Sequence, residues 1–218
     1  MKMEEYNRNN RKFDALICLN ATMPTKALFQ AIEYDKLIAA DGAADKVFAL
    51  GIYPDFIIGD FDSLNRKAVP DDYDVKSFIV EHSQETNDFE KILKYCFQNN
   101  LTRLLIFGMH GGELEHTLNN ISVFKKYAEI LNMTVYDAGR IGIFINNFIR
   151  LETSKNETIS LIPMPKSMLK TKNLKWELED EVLELGNREG ARNIATSDFI
   201  EISVIQGDIL LFFDSKFN

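Results

Sequence analysis

Along the first 137 residues, short unbroken apolar runs alternate with stretches of helical period. The runs fall at 15–19, 36–40, 56–58, 77–80, 103–107 and 133–136. Such runs suit strands buried on both faces, where no polar alternation is needed. Between two of them, Phe89, Ile92, Leu93 and Cys96 recur at i, i+3, i+4 and i+7. That spacing predicts a helix over 87–98, with Asn87 as its N-cap and Glu90 three residues on. Leu118, Ile121, Phe124, Ala128 and Leu131 predict a second helix over 115–131 by sharing one face. Strands alternating with helices make a parallel-sheet, Rossmann-like α/β domain the expected fold. In such sheets ligands lie beyond the carboxyl ends of the strands. Here the runs end at Asn20, Asp41, Asp60 and the turn Gly108-Met109-His110-Gly111-Gly112.

Past residue 138 the period drops to two. Ile159 and Leu161 alternate with Thr158 and Ser160, and Ile200, Ile202 and Val204 alternate with Glu201 and Ser203. Leu174, Trp176 and Leu178 alternate with Lys175, Glu177 and Glu179. Gly207-Asp208 reads as a turn before a last run at 209–213. The expected organisation is an α/β domain over 1–138 followed by an all-β sandwich over 139–218.

Composition narrows the function classes. The 218 residues are 45% apolar and 27% charged, ordinary for a globular protein, with a net charge of −8. An acidic chain is poorly suited to nucleic-acid phosphates or anionic membranes, so neither is expected as a partner. A polyphosphate remains compatible, since a divalent cation reverses the local field. Cys18 and Cys96 sit in apolar stretches and read as small buried hydrophobes. Residues 1–12 are polar, and no apolar stretch approaches the ~20 residues of a membrane span, so a cytoplasmic location is expected.

Four segments carry candidate chemistry. In Pro54-Asp55-Phe56-Ile57-Ile58-Gly59-Asp60-Phe61-Asp62-Ser63, a strand runs through a glycine into two carboxylates two residues apart. Such a pair repels when ionised and suits a compensating Mg²⁺, though a solvated acidic turn has the same sequence. In Asp41-Gly42-Ala43, Asp41 suits either a helix N-cap or a contact to a ribose hydroxyl or metal-bound water. At Gln84-Glu85-Thr86-Asn87-Asp88-Phe89, a helix start offers a phosphate site with Asp88 within reach of a metal, or plain capping. Gly111-Gly112 precedes a helix carrying His116, either an acid–base group or a hydrogen-bonded structural histidine.

In order and spacing, Asp41-Gly42-Ala43, Gly59-Asp60-Phe61-Asp62-Ser63, Asn87-Asp88-Phe89 and Gly111-Gly112…His116-Thr117-Leu118 resemble the thiamin pyrophosphokinase family. Leu174-Lys175-Trp176-Glu177-Leu178 and Thr196-Ser197-Asp198 resemble its carboxy-terminal motifs. The resemblance implies an α/β catalytic domain that binds ATP, a thiamin-binding β-sandwich and a homodimer. It implies transfer of the β,γ-diphosphate of ATP to the hydroxyl of thiamin, with release of AMP. Asp60, Asp62 and Asp88 would hold Mg²⁺ and form the catalytic set. Asn20, Asp41, Gly42, Gln84, Asn87, Gly111, Gly112, His116 and Thr117 would bind ATP. Trp176, Thr196, Ser197 and Asp198 would bind thiamin, with Trp176 otherwise free to fill the sandwich core.

The chain departs from the family pattern in three places. Asn87-Asp88 stands where Thr-Asp is usual, and Glu113-Leu114-Glu115-His116 where Arg-x-Asp-His is usual. Ala195-Thr196-Ser197-Asp198 replaces Ser-Thr-Ser-Asn. Two rival readings follow. One is a degenerate homologue sensing thiamin or a nucleotide. The other is a magnesium-dependent aspartate-nucleophile phosphatase, whose motif resembles Asp60-Phe61-Asp62-Ser63 but ends a first strand and not a third.

Overall fold

The computed structural model describes residues 4–8, 12–61, 64, 67, 69–71, 73–74, 78–80 and 85–217. The chain divides into two compact units, one of Arg11–Ala138 with Phe217–Asn218 and one of Met1–Asn10 with Gly139–Lys216.

The first unit is built on parallel strands. Strands β2 (Lys12–Cys18), β3 (Glu33–Ala40), β4 (Phe56–Gly59), β5 (Phe78–Val80), β6 (Arg103–Phe107) and β7 (Asn132–Asp137) lie in the order β7-β6-β2-β3-β4-β5. Every neighbouring pair among them is parallel. Helices α1 (Lys26–Gln30), α2 (Asp41–Ala49), α3 (Asp88–Gln98) and α4 (Leu114–Tyr127) connect them. Leu16, Ile17, Ile38, Leu104, Leu105 and Ile106 are fully buried, which is why the strands read as unbroken apolar runs. Burial of each such side chain contributes about 1.5–3 kcal/mol relative to exposure.

Register is set by carboxylates at strand starts. Asp14 accepts hydrogen bonds from the amides of Thr102 (2.7 Å) and Arg103 (2.9 Å), pinning β2 against β6. Burial opposes its charge, but these amides hold its pKa below the usual aspartate value. Asp55 accepts from the Leu37 amide at 2.7 Å and fixes β3 beside β4.

Helix α3 follows its sequence pattern. Phe89, Ile92, Leu93 and Cys96 are buried, and the Asn87 side chain accepts from the Glu90 amide at 2.9 Å. Glu90 does not close a capping box. Its buried carboxylate takes Lys126 at 2.7 Å and the Tyr127 hydroxyl at 3.1 Å, tying α3 to α4. Helix α4 buries Val123, Phe124 and Tyr127; of the face predicted over 115–131, Phe124 and Leu131 are buried, whereas Leu118 is 58% exposed.

The second unit is β-rich and mainly antiparallel. It holds β1 (Glu4–Tyr6), β8 (Arg140–Ile145), β9 (Phe148–Glu152), β10 (Thr158–Lys172), β11 (Glu181–Glu184), β12 (Gly190–Ile194) and β13 (Phe199–Asp214). Strand β13 pairs through its first half with β9, through its last six residues with β8, and through both halves with β10. Gly207-Asp208 is therefore no turn: the strand runs on through Gly207, and a register shift in β10 absorbs the irregularity. The alternating segment around Leu174, Trp176 and Leu178 is no strand either. It is a loop that buries Leu174 and Leu178 and leaves Trp176 out.

The first ten residues belong with this unit, whereas the sequence pattern placed them in the α/β domain. Strand β1 pairs in parallel with β9. Arg8 is buried and bonds Glu157 through both guanidinium ends, at 2.9 and 2.8 Å. It also donates to the carbonyls of Glu152 and Asp214 and lies over the Phe213 ring at 5.0 Å. Among the described residues, no helix is long and apolar enough to cross a membrane.

Candidate active site

Strand order reverses between β2 and β6, since β3 continues on one side of β2 and β7 on the far side of β6. The loops leaving those two carboxyl ends must part, and a crevice opens between them. A pocket of about 420 Å³ lies there, within the α/β unit. Its walls come from Leu19-Asn20-Ala21 after β2, Asp60 after β4, the start of α3, the Gly108–Gly112 turn after β6 and the start of α4.

Close backbone packing shapes the walls. Gly108 has φ +70°, and a Cβ there would lie 2.2 Å from the Leu19 carbonyl oxygen, so the two loops touch only because this position lacks a side chain. The amide of Thr22 donates to the His110 carbonyl at 3.2 Å and joins the same loops. Asn120 on α4 bridges the far wall. It accepts from the Asn87 side chain at 3.0 Å and donates to the Met109 carbonyl at 3.4 Å.

The pocket floor is acidic. Asp60 and Asp88 line it, and Asp41 lies buried beside them at the start of α2. Gly59 makes this possible: a Cβ there would lie 2.8 Å from Asp41 Cγ. The Asp41 carboxylate accepts from the Gly42 amide at 2.5 Å through one oxygen, while Oδ2 is buried with no hydrogen-bond partner among the described residues. Burial, and then the charges of Asp88 and Asp60, push the Asp41 pKa up to about 6, against the pull of the Gly42 and Phe61 amides. Asp88 Oδ1 accepts from Lys91 Nζ at 2.9 Å. Burial works against the Lys91 ammonium, but the bond to Asp88 and the charges of Asp88, Asp60 and Asp41 hold its pKa above the ordinary lysine value.

Most of the expected nucleotide set meets here. Asn20, Asn87, Gly111, Gly112 and His116 line the pocket, and Asp41 with Gly42 sits directly behind it. His116 Nε2 lies 3.1 Å from Glu113 Oε2, and Glu113 lines the same wall. Thr117 lies on α4 without lining the pocket. Asp62 and Gln84 fall outside the described residues. Among the described residues no three His, Cys, Asp or Glu side chains form a ready-made metal cage. The pattern reading missed Lys91 and Asn120, both of which line the pocket, and named Thr86 only within its segment without giving it a role. For Lys91 the signal was present as a lysine three residues after Asp88 in the first turn of α3.

In the β-rich unit, Trp176 is 55% exposed, which excludes the core-filling role. Asn193 clamps its backbone twice, accepting from the Trp176 amide at 3.1 Å and donating to its carbonyl at 2.7 Å. The same ribbon carries Thr196, whose amide donates to the Asn173 carbonyl at 2.9 Å. Ser197 and Asp198 are held by Thr153, which donates its hydroxyl to the Ser197 carbonyl and its amide to the Asp198 carbonyl.

A family model described as thiamin pyrophosphokinase, catalytic domain, matches residues 30–135. A second, described as thiamin pyrophosphokinase, vitamin B1 binding domain, matches residues 146–207. The chain belongs to the thiamin pyrophosphokinase family. The first match spans Asp41, Asp60, Asp88, Lys91 and Asn120, and the second spans Trp176 and the 196–198 segment. A thiamine pyrophosphokinase 1 of Oryza sativa subsp. japonica is 26% identical over 223 residues, covering 87% of this chain and 83% of that protein. Among solved structures, yeast thiamin pyrophosphokinase superposes with a TM-score of 0.78 at 19% identity, over 97% of this chain and 90% of that one. Thiamine pyrophosphokinase from Bacillus subtilis gives 0.76 at 19% identity, over 93% and 99%. A family model for vitamin B1 binding across the second unit leaves the aspartate-nucleophile phosphatase reading without support.

Proposed function

We propose that this chain is a thiamin pyrophosphokinase that moves the β,γ-diphosphate of ATP to the hydroxyl of thiamin, giving thiamin diphosphate and AMP. The reading is carried by one observation: Asp60 and Asp88 line one pocket at the carboxyl ends of a parallel sheet, with Asp41 buried beside them, in a chain whose two units both match models of this one family. The α/β unit would be the Rossmann-like ATP-binding half, the β-rich unit the thiamin-binding sandwich, and the working enzyme a cytoplasmic homodimer.

The acidic floor fits Mg²⁺. Carboxylate oxygens are the hard donors this ion prefers, and Asp41 Oδ2 is a buried oxygen with no hydrogen-bond partner among the described residues. Asp60, Asp88 and Asp62 would hold it. When bound, Mg²⁺ supplies charge neutralisation to the polyphosphate. The chain's own part is positioning. Asn20, Asn87, Gly111, Gly112 and His116 would hold the nucleotide, assisted by Gln84 and Thr117, with Asp41 and Gly42 bracing the floor. Trp176 would present its indole face to the cationic ring system of thiamin, and Thr196, Ser197 and Asp198 would fix its polar edge. In the transfer, the thiamin hydroxyl oxygen bonds to the β-phosphorus while the bond from that phosphorus to the α,β-bridging oxygen breaks. AMP leaves with that oxygen, and the hydroxyl proton passes to a carboxylate of the floor. Holding the two reactants in line is worth several orders of magnitude in rate.

The test incubates the pure protein with ATP, Mg²⁺ and thiamin and quantifies both products. Equal amounts of AMP and thiamin diphosphate support the reading. Thiamin binding with no AMP would establish the sensor instead.

A further inference from the structure

Lys91 is the feature of the site that neither the sequence motifs nor the expected ligand sets use. It lies in the first turn of α3, yet its side chain is only 4% exposed. A buried ammonium is costly unless it is paired. Its partner is Asp88 at 2.9 Å, and it stands in the field of Asp60 and Asp41 as well. The other lysines near this part of α3 turn elsewhere: Lys94 and Lys126 both pair with Glu90. Among the described residues that line the pocket, Lys91 is the one lysine or arginine, placed among acidic side chains.

We propose that Lys91 is a built-in counter-ion that holds Asp88 and neutralises part of the floor while no divalent cation is bound, and that yields Asp88 when the cation arrives. It is a positioning residue acting through Asp88. This inference rests on the reading of Asp60 and Asp88 as cation-holding groups. The ammonium competes with the divalent ion for Asp88, so its removal strengthens metal binding in the absence of nucleotide. Restraining the floor without metal is the benefit that offsets this competition.

The test compares wild type, Lys91→Met, Lys91→Arg and Asp60→Asn as full-length proteins, using Mn²⁺ alone as the probe. Two readouts are taken without nucleotide: Mn²⁺ affinity by calorimetry, and the melting temperature in chelator and in saturating Mn²⁺. Lys91→Met is expected to bind Mn²⁺ on the order of tenfold more tightly than wild type. It should melt several degrees lower in chelator, with most of that deficit removed by Mn²⁺, and Lys91→Arg should restore wild-type behaviour. Unchanged Mn²⁺ affinity, or a melting deficit equal in both conditions, assigns Lys91 a packing role and overturns the proposal. Asp60→Asn separates the two ideas. If wild type binds no Mn²⁺ that this substitution removes, the cation reading itself fails; if it does and Lys91→Met matches wild type, only the counter-ion role fails.

Discussion

The two units handle charge in opposite ways. In the α/β unit, Asp41, Asp60 and Asp88 are gathered into a small volume, leaving one buried oxygen unpaired and a carboxyl pKa raised to about 6. In the β-rich unit, the buried carboxylate of Glu157 is saturated: it meets Arg8 through both oxygens and accepts from the amides of Ser154 and Asp214. The second arrangement satisfies its carboxylate within the protein, although Arg8 Nε is buried without a hydrogen-bond partner among the described residues, and it supports a fold. The first crowds like charges and raises the Asp41 pKa, as expected of a site that takes up the cation proposed above. Crowding of like charges thus separates the acidic pocket from the structural ion pair; unsatisfied polar atoms do not, since Asp41 Oδ2 and Arg8 Nε are both buried without a hydrogen-bond partner among the described residues.

The largest effect should come from relieving the crowded cluster. Asp60→Asn is expected to lower kcat on the order of 10³-fold while the metal-free protein melts at or above the wild-type temperature, because a repelling charge is gone. Steady-state kinetics and calorimetric melting check both halves. Breaking the saturated pair should do the reverse. Arg8→Met leaves Glu157 buried and uncompensated and should lower stability by about 3 kcal/mol in denaturant unfolding. Activity at low temperature should be nearly unchanged. Trp176→Ala removes an exposed indole, so stability should hold, while KM for thiamin rises about tenfold and KM for ATP stays put.

The smallest effect is a pH dependence. Asp41 has its pKa raised from 3.8 in the unfolded chain to about 6 when folded, chiefly by burial and then by Asp88 and Asp60. Between those values the folded protein binds more protons, so metal-free stability from this group is present at low pH and is lost as pH rises through about 6. Urea titrations from pH 4 to 7 in chelator should show this decline, Asp41→Asn should flatten it, and Mg²⁺ should reduce it.

Much of this was legible in the residues. The parallel core was readable because strands buried on both faces leave unbroken apolar runs, as in Leu16, Ile17, Leu104 and Leu105. The face of α3 and its Asn87 cap were equally plain, since local period and capping are local signals. What escaped depends on distant partners. Arg8 finds Glu157 149 positions away, and strand β1 spans three residues, too few for a period to show. Lys91 and Glu90 are charged residues on a helix, a pattern that ordinarily marks the solvent side, yet both point inward to partners. Leu174 and Leu178 alternate like a strand because a loop alternately buries its side chains here, with a single antiparallel bridge from Leu174 to Ala195 in place of a ladder. The site showed itself as polar residues at strand ends, while Asn120 stayed hidden because nothing about an isolated asparagine tells which wall it joins.

The decisive measurement follows the phosphorus atoms. Wild-type protein is given thiamin and Mg²⁺ with ATP labelled either at the α- or at the γ-phosphorus. All α-label should appear in AMP and all γ-label in thiamin diphosphate, with both transfers stopped by chelator. Release of γ-label as free phosphate, or transfer that persists without a divalent cation, would contradict diphosphate transfer at the acidic floor.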